Sequence, residues 1–189
     1  KLDNEFMAEE VIDLLKPYLE ENKMEEAQLK VKNHFKSLQN MQKSSLKPEK
    51  ERNNLLKLLK ADQIKILAEE KDWKRALAKT GKLLRDKELI EQRYIEKMIE
   101  IVEDKGPYIA IAPNICLAHA GINDGVNNSA ISLAVLKKGI ILGHQFDPIK
   151  FVFVLAPTDK KAHLPALTDI MEFANDKELM AGVEAADNE

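Results

Sequence analysis

A layered α/β domain, with a small mixed β-sheet flanked by helices and preceded by a helical arm, is the fold class this 189-residue sequence predicts. Three observations carry that reading. Two segments, over about 72–86 and 89–104, repeat apolar residues at helical spacing. Three β-prone runs follow, at Tyr108–Ile111, Ala130–Leu136 and Phe151–Leu155. A further helical segment comes after the third run, and helices on either side of a run of strands need a sheet to pack against.

The elements can be justified in chain order. From Phe6 to about Gln42 the pattern is helical, with Val11, Leu14, Leu15, Tyr18 and Leu19 on one face and Glu9, Asp13 and Glu20 on the other. Pro17 disfavours the helical conformation at Lys16, so a kink or short break is expected there. The lysine-rich stretch Gln39–Asn54, with Ser44, Ser45 and Pro48, reads as a linker. The expected division is therefore an arm and linker over 1–54 and a folded domain over 55–189. Gln63–Ala68 alternates as a short strand would. Asp72 is placed to cap the first amphipathic helix, whose apolar stripe is read through Ala76, Leu77 and Leu83. The second is expected to bury Ile90, Tyr94, Ile95, Met98, Ile99 and Val102, and Gly106-Pro107 ends it. Phe151–Leu155 is apolar at every position, which marks a central strand covered on both faces. The last helices are expected over about His163–Ala174, with Leu164, Leu167, Ile170 and Met171 inward, and over Lys177–Ala185.

Composition narrows the function. The formal net charge is −3, so the chain offers no general basic field and no direct nucleic-acid contact is expected. No apolar run approaches the roughly 18 residues of a membrane span, so no membrane insertion is expected. The single cysteine, Cys116, excludes an internal disulfide framework and fits a reducing, cytoplasmic location. The sequence opens on Lys1-Leu2-Asp3 with neither an initiator Met nor the pattern of a signal peptide, and the expectation is a processed chain or a piece of a longer one.

Four histidines are present, at 34, 119, 144 and 163. His34 lies on the charged arm and His144 in a loop after Leu142-Gly143, where a solvated surface role suffices for both. His119 follows a strand and is flanked by Ala118, Ala120 and Gly121, small residues that let a ligand approach the ring. His163 opens a helix, where free backbone N–H groups suit an anion. On these facts alone, His119 and His163 either meet at the strand ends, where α/β sheets place their sites, or are two unrelated surface residues. Cys116 and His119 form a C-x-x-H that His163 and Asp124 could join as zinc ligands. One cysteine among scattered histidines is a weak pattern, and no metal site is expected. Cys116 reads instead as a small buried strand residue.

The segment Gly106–Ala120, through Ala112-Pro113 and His119 and on to Asp124-Gly125-Val126, resembles the signature of enzyme IIA domains of the phosphoenolpyruvate-dependent sugar phosphotransferase system. The likeness is to the mannitol/fructose superfamily and within it to the ascorbate type. A second block, Asp147-Pro148 through Phe151–Leu155 to His163-Leu164-Pro165, matches in the same order, and the resemblance spans about Leu55–Ala185. It implies that His119 carries the phosphoryl group, that His163 assists, and that no cofactor is needed. The implied partners are HPr as donor and a IIB-type domain or subunit as acceptor. Three departures accompany the match: Ala118 stands where the family commonly has Pro, Gly121 where the ascorbate type often has Arg, and Ile101–Glu103 lacks the phosphate-holding Arg of mannitol-type members. A less cationic phosphate site is therefore expected.

The implied chemistry is covalent catalysis by imidazole, which is largely neutral at cytoplasmic pH because its unperturbed pKa is about 6.5. Two roles share it. The missing initiator Met, the arm and the weakened cationic site favour the regulatory module of a sugar-responsive transcription regulator or antiterminator. The alternative is a carrier subunit that feeds a sugar permease.

Overall fold

The computed structural model describes residues 54–159 and 164–186. The arm, its linker up to residue 53, His34 and His163 lie outside the described residues. The first element is a short helix, α1 (Asn54–Leu58), so the stretch read as linker already turns helical at its last residue. A single 3-10 turn, Ala61–Gln63, leads into β1 (Ile64–Leu67). Then come α2 (Trp73–Arg85), α3 (Gln92–Lys105), β2 (Ala110–Ala112), β3 (Ile115–Ala118), β4 (Ala130–Ile140) and β5 (Ile149–Ala156). Two helices close the described chain, α4 (Leu164–Asn175) and α5 (Lys177–Ala185).

The five strands form one mixed sheet in the order β1-β4-β5-β3-β2. β5 runs parallel to β3 and antiparallel to β4, while β1 runs parallel to β4. The carboxyl ends of β3 and β5 therefore share an edge with the amino end of β4, where Ala130 pairs with Ala156. Alternation along the strands divides the core into two layers. Cys116, Ala118, Ala134, Val152 and Val154 face α2 and α3. Leu117, Leu133, Val135, Phe153 and Leu155 face the other way, onto Ala166 and Ile170 of α4. From Phe151 onward β5 is buried on both sides, as its unbroken apolar run predicts. The alternation slips in β2, where Ala110 and Ala112 lie in opposite layers, and again at the start of β5. The N–H groups of Lys150 and Phe151 both donate to the Asn114 carbonyl, at 2.8 and 2.9 Å, so Ile149 and Phe151 lie in opposite layers. Past that bulge, Phe151 and Phe153 meet Phe173 of α4 edge-on, with ring centroids 5.1 and 6.2 Å apart.

Several expectations are corrected in detail. The inner face of α2 is Ala76, Leu77, Thr80, Gly81 and Leu84, with Leu83 only partly covered, because a helix turn brings 77, 80, 81 and 84 into line. Ile90 is buried but not helical. It bridges Val126 in extended conformation, which delays α3 to Gln92. The run at Tyr108 starts as a turn, so β2 begins two residues later, while β4 extends four residues past the predicted end. Leu164 is 49% exposed rather than inward, and the buried face of α4 is carried by Ala166 and Ile170. Asp72 does cap α2, accepting from the Arg75 N–H at 2.9 Å.

Candidate functional site

β3 is buried along its whole length and ends at Ala118; the next residue, His119, is exposed. The parallel pairing of β3 with β5 sets Ala118 beside Val154, so the chain leaving β3 and the chain leaving β5 emerge side by side. Between them opens a cavity of about 680 Å³. Its apolar wall is Leu117, Leu155, Pro157 and Leu167, and its polar wall is His119 with Asp124 and Asp159. Carboxyl ends of parallel strands are where α/β sheets leave room for ligands, because the ladder stops there and the loops diverge. Tyr108 closes one flank of His119, the rings meeting near-perpendicularly with centroids 6.5 Å apart.

The loop that carries His119 is held from three directions. Within itself, Asp124 accepts from the Gly121 N–H at 2.7 Å and donates its own N–H to the Gly121 carbonyl at 3.0 Å, forming a tight turn. From α3, Arg93 donates to the Asn123 carbonyl at 3.1 Å while its guanidinium pairs with Glu91. From the buried side, the Tyr94 hydroxyl accepts from the Ala120 N–H at 3.0 Å and donates to the Leu155 carbonyl at 2.5 Å. Burial pushes the Tyr94 phenol up to about 12, so it remains protonated and able to donate at any physiological pH. Across the sheet edge, Ser129 and Thr158 share a hydroxyl contact of 2.6 Å, and the Thr158 N–H donates to Ser129 at 3.0 Å. That pair ties the chain leaving β5 to the chain entering β4.

His119 thus stands where the sequence places it, at a strand end among small residues. His163, expected at the start of α4, lies outside the described residues. Leu167, one turn into that helix, lines the cavity. His144 is on the β4–β5 connection, packed on Phe146 with its Nδ1 accepting from the Phe146 N–H at 3.3 Å, and it takes no part in the cavity. Cys116 belongs to the layer facing α2 and α3, whereas its neighbour Leu117 lines the cavity, so the thiol points away from His119. Burial also raises the thiol's pKa, which keeps it protonated and inert as a nucleophile. Among the described residues no group of three or more histidine, cysteine or acidic side chains is gathered to hold a metal ion, and no helix is long and apolar enough to cross a membrane.

Reading the residues alone misses four contributors: Tyr94, Tyr108, Arg93 and Asp159. A signal existed for Tyr94. A tyrosine in the apolar stripe of a helix carries a hydroxyl that must find a partner when buried. The others depend on contacts between segments remote in sequence, which no local pattern contains.

The family described as "Phosphoenolpyruvate-dependent sugar phosphotransferase system, EIIA 2" matches residues 57–189. The chain belongs to that family. Like its other members, it is an EIIA-type phosphotransfer domain of the phosphohistidine-carrier kind. It is 27% identical over 126 residues to the mannitol-specific cryptic phosphotransferase enzyme IIA component of Escherichia coli, covering 67% of this chain and 86% of that one. To the ascorbate-specific EIIA component of the same organism it is 32% identical over 101 residues, covering 53% of this chain and 66% of the relative. The solution structure of the mannitol-specific cryptic enzyme IIA of E. coli superimposes with a TM-score of 0.64 at 25% identity, over 71% of this chain and 92% of that one. The E. coli mannitol enzyme IIA in complex with phosphorylated enzyme IIB shares the fold at 18% identity, with a TM-score of 0.59 over 69% of this chain and 92% of that one. The EIIA resemblance read from the two histidine blocks is thereby established, as is the layered mixed-sheet fold. These relatives are named as mannitol- and ascorbate-specific phosphotransferase components rather than as regulators, which favours the carrier alternative over the regulatory role expected from the sequence.

Proposed function

We propose that this EIIA domain is a cytoplasmic carrier that takes a phosphoryl group from phospho-HPr onto His119 and passes it to a IIB-type component serving sugar uptake. The observation that supports it most is the placement of His119: exposed at the carboxyl end of β3, in a cavity wide enough to admit a partner's side chain. A ring nitrogen of His119 attacks phosphorus, and the new N–P bond forms as the N–P bond on HPr breaks. The electron pair of the broken bond returns to the departing imidazole. The second transfer repeats the exchange, with the IIB nucleophile attacking and His119 leaving. Reactant and product are alike, so the domain has to supply orientation and charge balance more than acid–base work.

His163 is proposed to assist, as a hydrogen-bond donor to the phosphoryl oxygens. The carrier role follows the relatives, whose names specify mannitol and ascorbate components. The test is labelling from phosphoenolpyruvate through enzyme I and HPr. Acid-labile, base-stable phosphate is expected on the wild type and absent from His119→Gln, with His163→Ala labelled about ten- to a hundredfold more slowly. Equal labelling of His119→Gln would overturn the assignment. Chase of the label onto a purified IIB protein supports the carrier role, and a label that no IIB protein accepts counts against it.

A further inference from the structure

We propose that Tyr94 is a positioning residue for phosphoryl transfer, acting through the peptide that joins His119 to Ala120. The inference rests on the reading of His119 as the phosphoryl acceptor and adds how that side chain is aimed. The N–H that Tyr94 accepts, at 3.0 Å, belongs to that very peptide. The same hydroxyl donates to the Leu155 carbonyl at 2.5 Å, near the end of β5. One oxygen atom therefore fixes the chain leaving β3 against the chain ending β5, the two walls between which the cavity opens.

Satisfying a buried phenol does not by itself require this arrangement. The Leu155 carbonyl alone would serve the O–H donor. The acceptor side of the oxygen is used as well, and on a group the sheet cannot serve. β3 ends at Ala118, so the ladder offers nothing to the Ala120 N–H, and Ala120 is itself 5% exposed. Rotation of the His119–Ala120 peptide would leave that N–H buried and unpaired, so the peptide is held in one orientation and the His119 backbone with it. The anchor is rigid. Tyr94 is wholly buried in the first turn of α3, on the same face as Ile95 and Met98. Its neighbour Arg93 holds the outer side of the loop through the Asn123 carbonyl, so consecutive residues of one helix grip the loop from within and from without. The hydroxyl is also the atom that Phe lacks, which makes the device separable from the packing of the ring.

The experiment compares wild type, Tyr94→Phe and Val102→Ala, the last being a buried residue of the same helix at its far end. Initial rates of phosphoryl transfer from phospho-HPr give kcat and KM, and ¹⁵N spectra report the His119 ring. Tyr94→Phe is expected to lower kcat about ten- to a hundredfold, to leave KM for phospho-HPr within about twofold, and to shift the His119 ring signals. Val102→Ala is expected to lower Tm without changing kcat or the ring signals. Replacing Ala120 by lactic acid deletes the single N–H and should reproduce the Tyr94→Phe signature even if Tyr94→Phe does not fold. Wild-type kcat in either altered protein, or an equal fall of kcat in Val102→Ala, overturns the positioning role. A label that persists in His119→Gln overturns the acceptor reading instead, whatever Tyr94 does.

Discussion

Alkaline pH should erase the stability difference between the wild type and Tyr94→Phe. In the folded domain the Tyr94 phenol is pushed up to about 12, with burial the largest cause, against about 10 for an unfolded tyrosine. The folded value is the higher one, so the stabilisation is fully present below pH 10 and is lost as pH rises from 10 through 12. At neutral pH the variant lacks the bond to the Leu155 carbonyl and the bond from the Ala120 N–H, both buried. Stranding such groups costs about 1–3 kcal/mol, centred near 2. By pH 11 the unfolded Tyr94 is about tenfold more ionised than neutral and the folded one scarcely ionised, which removes about 1.4 kcal/mol from the wild type that the variant, lacking a phenol at 94, does not lose. By pH 12 the loss is about 2.3 kcal/mol and the two unfolding curves should coincide. Urea denaturation at pH 8, 10, 11 and 12 measures this. Taking the difference between the two proteins cancels Tyr108, whose own pKa is raised by burial in both. A gap that stays constant from pH 8 to 12 would refute a buried, neutral Tyr94 hydroxyl bridging the two chains.

Two further outcomes follow from packing and charge. A Cβ on Gly81 would lie 2.9 Å from Ile95 Cγ1 at the α2–α3 contact, so Gly81→Val should lose about 2 kcal/mol and about 7 °C in Tm; an unchanged Tm would mean the two helices can separate freely. A side chain at Gly121 meets only the movable Asp124 carboxylate, at 2.7 Å, so Gly121→Arg should fold with a loss under about 1 kcal/mol. By restoring a cation beside His119 it should speed labelling from phospho-HPr about tenfold at low salt, an advantage that shrinks as salt is raised; a gain indifferent to salt would refute the electrostatic reasoning.

The site was legible in the sequence only where one segment carried the whole signal. Ala118-His119-Ala120-Gly121 holds a histidine among small neighbours, read as following a strand, although β3 itself (Ile115–Ala118) was not among the β-prone runs. Of the two carboxylates of the cavity, Asp124 lies within the signature segment, whereas Asp159 carried no such mark. Asp159 lines it because β5 lies parallel to β3, and Asp124 because its carboxylate turns back onto the Gly121 N–H. The shortage of cations was expected from the departures in the signature, and among the described residues the titratable groups lining the cavity are His119, Asp124 and Asp159. Arg93 was absent from that reckoning. It reaches the loop from the first turn of α3, thirty residues upstream of the carbonyl it binds.

By itself the sequence determined the two amphipathic helices, the central position of β5 and the stop of α3 at Gly106, because these rest on periodicity, unbroken apolarity and backbone freedom, all local properties. Gly106 adopts φ +79°, which few residues other than glycine tolerate. Tertiary structure decided the order β1-β4-β5-β3-β2, the end of the sheet at which the cavity opens and the partners of the Tyr94 hydroxyl. The physical reason is common to all of these. Propensity and pattern act over one or two turns of chain, whereas strand pairing, helix approach and the pairing of buried polar groups join segments tens of residues apart, and their energies exist only once the segments have met.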